Sequence, residues 1–266
     1  MMFSIVIPAY NREWCIERAL ISADNFLQCI GEGEIVIVND GSTDGTVNQV
    51  LLFIKENTSD NIVFRVVDNK INKGVCAAKN SGAYDSSGDW IIFLDSDDEL
   101  IHDNIEEFVN MINNNKSCPV HFFASIDEAG TVIGDKPECS IKRDMNQLLL
   151  YGTSGESLPV LNRMVFLECP YDEELNGFEG LAYLRIALQY DYAMIHATIL
   201  RKYHTDHEDR LSSIKGIRKR SNSLVKGYCK MLRELYPGFY LRSYTYVISR
   251  CIYHAIRYFI YLIMKR

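Results

Sequence analysis

The sequence contains the run Trp90-Ile91-Ile92-Phe93-Leu94-Asp95-Ser96-Asp97-Asp98, in which five apolar residues are followed by three carboxylates within four positions. Such a run predicts a buried β-strand that ends at a polar edge of a sheet. Ligands of open α/β sheets bind beyond the carboxyl ends of the strands, so we expect Asp95 and Asp97 to face a ligand. Two carboxylates at alternate positions repel each other unless a positive charge lies between them.

A hard divalent cation, Mg²⁺ or Mn²⁺, suits oxygen ligands of this kind. A solvated acidic turn is the alternative, because aspartate is common in turns. A calcium loop of the EF-hand type is not indicated, since Leu100 stands where that loop requires glycine.

The first half of the chain alternates between two periodicities. Short apolar runs predict strands, and the segments between them predict helices. The predicted strands are 3–7, 34–38, 62–67 and 90–94, and the predicted helices are 12–23, 46–55 and 75–84. Pro8 is expected to end the first strand and Asn11 to cap the first helix. This order predicts an α/β fold with a mostly parallel sheet and helices on both faces. Three polar loops, 8–11, 39–45 and 95–98, should then lie at one edge of the sheet.

The second half of the chain gives a less regular pattern. We predict helices at 103–113, 144–151 and 179–188, a hairpin at 119–134 with its turn at 127–130, a strand at 159–163 and extended chain at 192–203. Residues 152–157 form a Gly/Ser-rich loop, either a cover over the site or a surface connector. Two further helices are predicted at 212–235 and 241–264, separated by Pro237 and Gly238.

Two common nucleotide-binding motifs do not match. The Gly-x-Gly at Gly31 and Gly33 precedes a predicted strand instead of following one, and no Gly-Lys-Ser/Thr loop occurs. A nucleotidyltransferase would need a glycine-rich loop after the first strand, where this chain has Pro8-Ala9-Tyr10-Asn11.

Charge is distributed unevenly along the 266 residues. Residues 211–266 carry twelve Lys and Arg against one acid, Glu234, a net charge of +11, and this leaves −18 for residues 1–210 of the overall −7. A basic tail on an acidic body suggests that the tail faces an anionic surface. The eight cysteines form no Cys-x-x-Cys pair, and the first apolar run is too short for a signal peptide. We therefore expect a reducing, cytoplasmic compartment.

Four motifs now stand in order along the chain. They are Ser4-Ile-Val-Ile-Pro-Ala-Tyr-Asn11, Val38-Asn-Asp-Gly-Ser-Thr-Asp44, Asn72-Lys-Gly74 with Ala78-Lys-Asn-Ser-Gly82, and Gly88-Asp-Trp-Ile-Ile-Phe-Leu-Asp-Ser-Asp-Asp98. In residues and spacing they resemble family 2 glycosyltransferases of the bacterial surface-polysaccharide type, which have the A-type nucleotide-sugar fold. The resemblance covers residues 3–210 and implies a catalytic domain at 1–210 followed by a basic, aromatic-rich helical tail at 211–266.

The resemblance implies a nucleotide site. Pro8, Ala9 and Tyr10 would line the base, with Tyr10 stacked on it, since an aromatic face accepts any base. A packed core aromatic is the alternative for Tyr10. Asp40 would accept a hydrogen bond from a ring N–H such as that of uracil, and a turn-forming aspartate is its alternative.

The diphosphate and metal would lie next to the base. Asp95 would contact the ribose or the metal, Ser96 the nucleotide, and Asp97 would ligate Mn²⁺ or Mg²⁺. His204 matches a late histidine near the metal, with a structural histidine as the alternative. Lys79 is expected to neutralise phosphate, and Arg210 is considered for the same role. A solvated surface charge is the alternative for both.

Such enzymes invert the anomeric carbon by direct displacement, and a carboxylate removes the proton of the acceptor hydroxyl. The base usually belongs to a Glu-Asp pair at the start of a helix. Here the matching residues are Glu179 and Gly180, so the aspartate is missing. Glu179 is our candidate for the base. Asp172 or Glu173 could approach instead, and a weakened or inactive enzyme is a further alternative.

The tail predicts a peripheral contact. Residues 241–264 are rich in aromatic and β-branched residues, but Arg250, His254 and Arg257 interrupt them, so a spanning helix is not indicated. A basic amphipathic helix suits an anionic membrane surface, here the inner face of the cell membrane. Packing on the domain or in a homodimer is the alternative. No nucleic-acid recognition motif accompanies the tail.

The sequence therefore predicts an inverting, metal-dependent hexosyltransferase. It would use a nucleotide-diphosphate sugar, a UDP-sugar by the resemblance, and a hydroxyl of a glycan or lipid-linked glycan as acceptor. The alternative is a non-catalytic nucleotide-sugar-binding relative that acts as a partner subunit.

Overall fold

A computed structural model describes residues 1–57, 60–204 and 221–264, with the backbone alone for 262–264. The first seven elements are β1 (Phe3–Ala9), α1 (Ile16–Ile30), β2 (Gly33–Asp40), α2 (Thr46–Glu56), β3 (Ile62–Asn69), α3 (Val75–Asp85) and β4 (Trp90–Phe93). They are followed by β5 (Glu99–Leu100), α4 (Ile105–Asn114), β6 (Val120–Ile126), β7 (Ile141–Arg143), α5 (Met145–Tyr151), β8 (Ser157–Asn162), α6 (Arg163–Glu168), α7 (Gly180–Gln189) and β9 (Ala193–Lys202). The chain continues with α8 (Ser221–Leu235), a 3₁₀ turn (Tyr236–Gly238) and α9 (Leu241–Met264).

The described strands form one nine-stranded sheet in the order β3-β2-β1-β4-β8-β6-β9-β5, with β7 also paired to β9. The pairs β3–β2, β2–β1, β1–β4 and β6–β9 are parallel. Strand β8 is inserted antiparallel between β4 and β6, so β6 and β9 run in the same direction as the first four strands. The sheet is therefore mostly parallel, and the predicted fold class is confirmed.

Helices cover both faces because alternate residues of each central strand point to opposite sides. Ile5 and Ile35 belong to a cluster with buried residues of α1, α2 and α4. Val6 and Val36 belong to a second cluster with residues of α3, α7 and α8. Burial of each such side chain contributes about 1.5–3 kcal/mol, so the near-continuous apolar runs of these strands stabilise two cores at once.

The start of the chain differs from the prediction at Pro8 and Asn11. Pairing of β1 with β4 stops at Val6, but pairing with β2 continues through Pro8 to Ala9. The prediction that Pro8 ends β1 is wrong. Asn11 does not cap α1, which begins at Ile16, and its φ is +53°. Its side chain instead accepts a hydrogen bond from Thr43 N at 2.8 Å, which joins the loops after β1 and β2.

The predicted hairpin at 119–134 is only partly formed. The turn is present, because Gly130 N donates to Asp127 O at 3.0 Å. The second arm is reduced to one bridge between Ile126 and Val132. Strand β6 pairs with β8 and β9 instead, because these strands bury both of its sides in the centre of the sheet.

The tail packs on the body in its first part. Met231 and Leu235 of α8 and Val247 of α9 are buried in the second core cluster. Part of the predicted helix 212–235 lies outside the described residues, as does Arg210. Within 1–57, 60–204 and 221–264, no helix is both long and apolar enough to cross a membrane.

A buried histidine pair joins β6 to β9. His121 Nδ1 lies 2.8 Å from His196 Nε2, and His121 Nε2 lies 3.0 Å from the Cys118 carbonyl. Ser140 Oγ lies 2.8 Å from His196 Nδ1. One neutral tautomer of each ring satisfies this chain, with His121 donating to Cys118, His196 to His121 and Ser140 to His196. Burial lowers the pKa of His121 to about 4 and that of His196 to about 3.

We predict that acid weakens the fold through this pair. Below pH ~6.5 the unfolded chain protonates both histidines, whereas the folded chain does not until the pH falls to their lowered pKa values. Their contribution should therefore fall as the pH drops from 7.5 to 5.5, by about 2–3 kcal/mol for the pair. Urea unfolding across this range measures it. The His196→Gln variant should show a shallower pH dependence, and equal slopes would contradict the prediction.

Candidate active site

The three polar loops meet at one edge of the sheet, as predicted. Asn11 N donates to Ser42 Oγ at 3.0 Å, and Arg12 N donates to Thr46 Oγ1 at 2.7 Å. The loop after β4 joins them, since Cys15 Sγ lies 3.5 Å from the Ser96 carbonyl. Hydrogen bonds between loops therefore hold the ends of β1, β2 and β4 in one surface.

The residues predicted to line the base differ in exposure. Pro8 and Ala9 are the last two residues of β1 and are buried, whereas Tyr10, directly after them, is 42% exposed. An exposed aromatic ring at the end of a buried strand can stack on a planar ligand. The core alternative for Tyr10 is therefore wrong, and its contact with a base stays a prediction.

Asp40 is buried and holds the start of α3. Its carboxylate accepts hydrogen bonds from Gly74 N at 2.8 Å and Lys73 N at 3.0 Å, and from Asn69 Nδ2 at 3.3 Å. These bonds fix the Asn72-Lys73-Gly74 loop at the carboxyl edge. A carboxylate has about four acceptor sites, so a further hydrogen bond to a base stays a prediction.

Lys79 on α3 is the centre of the site. Its side chain is only 10% exposed, and Nζ lies 2.9 Å from Asp95 Oδ1 and 3.9 Å from Glu179 Oε1. The surface-charge alternative for Lys79 is wrong. Burial alone would lower the pKa of Lys79, but Asp95 and Glu179 raise it above its ordinary value. Burial would likewise raise the pKa of Asp95, and Lys79 with Arg201 brings it below its usual range.

The acidic turn is built on Asp98, which the sequence analysis did not single out. Asp98 Oδ1 accepts from His204 N at 3.0 Å, and Oδ2 lies 3.3 Å from the Arg201 guanidinium. Burial raises the pKa of Asp98, and Asp95 and Asp97 add to the effect, so that it reaches about 8 in spite of the opposing charge of Arg201. Three carboxylates thus crowd one turn. The sequence did offer a signal for Asp98, since a third acid directly follows the Asp-x-Asp motif.

Ser96 and Asp97 occupy different environments in this turn. Ser96 is buried, whereas the Asp97 side chain is half-buried and its carbonyl accepts from the Arg18 guanidinium. The Ser96 contact with nucleotide and the Asp97 contact with metal stay predictions.

His204 lies beside the turn with both ring nitrogens directed at acids. Nε2 is 2.6 Å from Glu99 Oε1, and Nδ1 is 3.8 Å from Glu128 Oε1. In the part of the chain that the structure describes, no three His, Cys, Asp or Glu side chains form a metal cluster. Ligation of a metal by His204 stays a prediction, and Nδ1 is the nitrogen that could ligate while Nε2 stays on Glu99.

Glu179 directly precedes α7 and shares Lys79 with Asp95. Its carboxylate oxygen and that of Asp95 are at most 6.8 Å apart, the sum of their distances to Nζ. Gly180 is exposed, and a Cβ there would meet nothing within 4 Å. The other two candidates are engaged elsewhere. Asp172 pairs with Arg185 at 2.9 Å and with Lys230, and Glu173 accepts from Asn80 Nδ2 at 3.2 Å.

Together, the mostly parallel sheet with helices on both faces and the polar loops gathered at one of its edges define an α/β protein with a candidate site at that edge. Residues 4–156, more than half of the chain, match the model of glycosyl transferase family 2. The chain belongs to this family.

Named relatives extend the similarity. The chain is 24% identical over 238 residues to a GalNAc(5)-diNAcBac-PP-undecaprenol beta-1,3-glucosyltransferase of Campylobacter jejuni, covering 87% of this chain and 73% of that protein. It is 32% identical over 133 residues to a UDP-Glc:alpha-D-GlcNAc-diphosphoundecaprenol beta-1,3-glucosyltransferase of Escherichia coli, covering 50% and 49% of the two chains. It spans 46% of an uncharacterized Haemophilus influenzae glycosyltransferase, with 31% identity.

Solved structures share the fold. S. aureus TarS in complex with UDP-GlcNAc superposes with a TM-score of 0.69 at 17% identity, covering 87% of this chain and 67% of that one. The mannosyltransferase PcManGT from Pyrobaculum calidifontis, in complex with GDP-Man and Mn²⁺, gives 0.64 at 16% identity, covering 96% and 73%. These likenesses confirm the A-type glycosyltransferase fold.

We predict that Lys79→Met destabilises the fold, because it leaves two partly buried carboxylates without their cation. Breaking a fully buried pair costs about 3–5 kcal/mol, and we expect about 1–3 kcal/mol here because the Asp95 side chain is 39% exposed to water. Urea unfolding measures the change. The matched control is Lys73→Met, since the Lys73 side chain is exposed. Equal stability of the two variants would contradict the prediction.

Proposed function

We propose that this chain is an inverting glycosyltransferase that moves a hexose from a nucleotide-diphosphate donor, a UDP-sugar, to a hydroxyl of a lipid-linked glycan in cell-surface polysaccharide synthesis. One observation carries the proposal. Lys79 joins Asp95, on the expected donor side, to Glu179, the candidate base, on a single ammonium. A base and a donor-binding acid within a few ångströms of each other are what a direct displacement requires.

The donor and acceptor classes are supported by the printed names of relatives. The Escherichia coli relative is named for UDP-Glc and a diphosphoundecaprenol-linked acceptor, and the Campylobacter jejuni relative for an undecaprenol-linked glycan. UDP-GlcNAc is bound in one structural neighbour and GDP-Man in another. We favour UDP because the two relatives of named acceptor are glucosyltransferases and one is named for UDP-Glc.

The acidic turn suits a divalent cation. Asp95 and Asp97 share one turn with Asp98, whose pKa is raised first by burial and then by these two acids, and carboxylate oxygens are the ligands that Mg²⁺ and Mn²⁺ prefer. Asp97 would hold the ion, with His204 as a second ligand through Nδ1 while Nε2 stays on Glu99. When bound, the cation would neutralise charge on the departing diphosphate.

The chain's own residues supply the remaining steps. Tyr10 and Asp40 would orient the nucleotide, and Lys79 holds Asp95 and Glu179 close without repulsion. Glu179 would accept the proton of the acceptor hydroxyl as that oxygen bonds to the anomeric carbon. The bond from this carbon to the diphosphate oxygen breaks at the same time, and the nucleoside diphosphate leaves with the electron pair. Attack opposite the leaving group inverts the anomeric carbon.

The outer face of α9 supports a membrane contact. Ile252, Ile256, Phe259 and Ile260 lie on one helical face and are 55%, 56%, 64% and 49% exposed. Basic residues flank them along the tail, whose net charge is +11 from residue 211 onward. We propose that this face lies on the anionic membrane that carries the acceptor, in preference to a homodimer.

We predict that Glu179→Gln abolishes transfer, because the amide cannot accept the proton. Loss of a general base costs about 10²–10⁴-fold in kcat. Release of UDP from UDP-glucose, with Mn²⁺ and a diphosphoundecaprenol-linked N-acetylglucosamine acceptor, measures it. Glu173→Gln is the matched control and should retain activity, since Glu173 is exposed and contacts Asn80.

Measurement of donor binding tests the donor site independently of the base assignment. UDP with Mn²⁺ at about a hundred times its dissociation constant should add about 2.7 kcal/mol to the stability of wild type and of Glu179→Gln alike. Asp97→Asn should lose the part that needs Mn²⁺. Full transfer by Glu179→Gln would refute the base assignment, and no stabilisation by UDP, GDP, CDP or TDP would refute the donor site.

We predict that wild type sediments with vesicles that contain phosphatidylglycerol and that Ile256→Asp/Phe259→Asp does not. The substitutions place charge on the apolar face, which can then no longer enter the interface. Leu52→Asp is the matched control, because Leu52 on α2 is a comparably exposed leucine, at 50%. Equal sedimentation of the variants, or none by wild type, would exclude the membrane proposal and leave the dimer.

A further inference from the structure

The loop that carries Glu179 is held at both ends by glycines of other elements. At its start, the Asn176 side chain lies against Gly74, the residue whose amide binds Asp40, so closely that a Cβ on Gly74 would overlap it. At its end, the Phe178 ring lies against Gly227 of α8, where a Cβ would come within 2.7 Å of ring carbons Cδ1 and Cε1. Only a residue without a side chain leaves room for each contact.

Helix α8 presents more than the Gly227 notch to this loop. The Tyr228 ring meets the Phe178 ring edge-on, with centroids 5.1 Å apart. On its other side Tyr228 stacks on His254 of α9 at 5.6 Å. Phe178 therefore packs on Gly227 and Tyr228 of α8, and Tyr228 in turn packs on α9.

Ion pairs fasten α8 to the helix that follows Glu179. Arg185 of α7 binds Glu234 of α8 through Nε at 2.8 Å, and it binds Asp172 at 2.9 Å. Lys230 of α8 pairs with the same Asp172. One network thus joins α7, α8 and the segment before Glu179, and it fixes the distance between the two helices.

The position of Glu179 depends on its neighbour. The Phe178 carbonyl accepts from Leu181 N at 3.3 Å and the Glu179 carbonyl from Ala182 N at 3.0 Å, so these two residues form the turn that leads into α7. Phe178 and Glu179 are neighbours in this turn, so the contact of the Phe178 ring with α8 restricts the backbone from which the Glu179 side chain projects.

We infer that Phe178 is a positioning residue for Glu179 and that Gly227 of α8 is its seat, so that the chain beyond residue 220 is part of the transfer site. The inference rests on the proposed function, in which Glu179 is the base. It assigns to α8 a role separate from any membrane contact of α9.

The test is Gly227→Ala. The added methyl displaces the Phe178 ring, and we expect kcat for UDP release from UDP-glucose to fall about tenfold, with the KM for UDP-glucose and the midpoint shift with UDP and Mn²⁺ unchanged. Lys226→Ala, at the adjacent exposed position of α8, should keep wild-type kcat. We take kcat per folded molecule, with the folded fraction read from the unfolding curve at the assay temperature, so that a loss of stability alone leaves it unchanged.

A double substitution tests the contact itself. Phe178→Leu makes the loop side chain smaller, so Gly227→Ala should cost almost nothing further in that background, since residues in direct contact do not act additively. Hydrogen exchange gives a readout without activity. Gly227→Ala should speed amide exchange at residues 178–182 and leave α3 unchanged.

The outcomes separate the two proposals. If Glu179→Gln is inactive while Gly227→Ala keeps wild-type kcat and wild-type exchange at 178–182, the positioning role is overturned and the base assignment stands. The positioning role is also overturned if the effects of Phe178→Leu and Gly227→Ala on kcat multiply in the double variant. If Glu179→Gln retains full transfer, the proposed base fails whatever Gly227→Ala does.

Discussion

A buried ammonium group requires anionic partners, because an unpaired charge in the interior costs several kcal/mol. Lys79 meets this requirement with two carboxylates that are far apart in the sequence, Asp95 after β4 and Glu179 before α7. Helix α3 can bring Lys79 there because Gly82 lets it approach the sheet, where a Cβ would overlap Val6. The relation of α3, the β4 edge and α7 thus follows from one charge.

The second constraint is the attachment of the acidic turn to the late strand β9. Asp98 is held by Arg201 and by the His204 amide, and Glu99 is held by the His204 ring. Asp98 is therefore buried on the side of β9, whereas Asp95 and Asp97 are partly exposed. The contacts with Arg201 and with the His204 amide distinguish Asp98 from the other two acids of this turn.

The sequence predicted the sheet of the first half well, because each central strand is buried on both faces and appears as an uninterrupted apolar run. It failed where a residue's partner lies far along the chain. Asparagine is a common helix cap, but the Asn11 side chain accepts its hydrogen bond from Thr43 N instead. Strand β6 has the local pattern of a hairpin, but β8 and β9 offer it a fully buried position.

The site shows the same division. The four motifs located the residues that meet at the sheet edge, since motif spacing records which strand each loop follows. They could not tell that Lys79 is buried or that Asp98 is the structural acid, because burial depends on which side chains arrive from residues 172–204. Nor could a charge count show that α8 packs against Phe178, because Lys226 and Lys230 lie on the same helix as the buried Gly227.

The insertion of β8 between β4 and β6 also sets an order of assembly. A chain that emerges from its amino terminus can complete β3-β2-β1-β4 first, but β6 has no place beside β4 until β8 has been made. At about 5–20 residues per second, translation leaves the apolar β6, with Phe122 and Phe123, waiting for seconds. During that interval the nascent chain displays an unpaired hydrophobic strand, and such a strand is prone to aggregate.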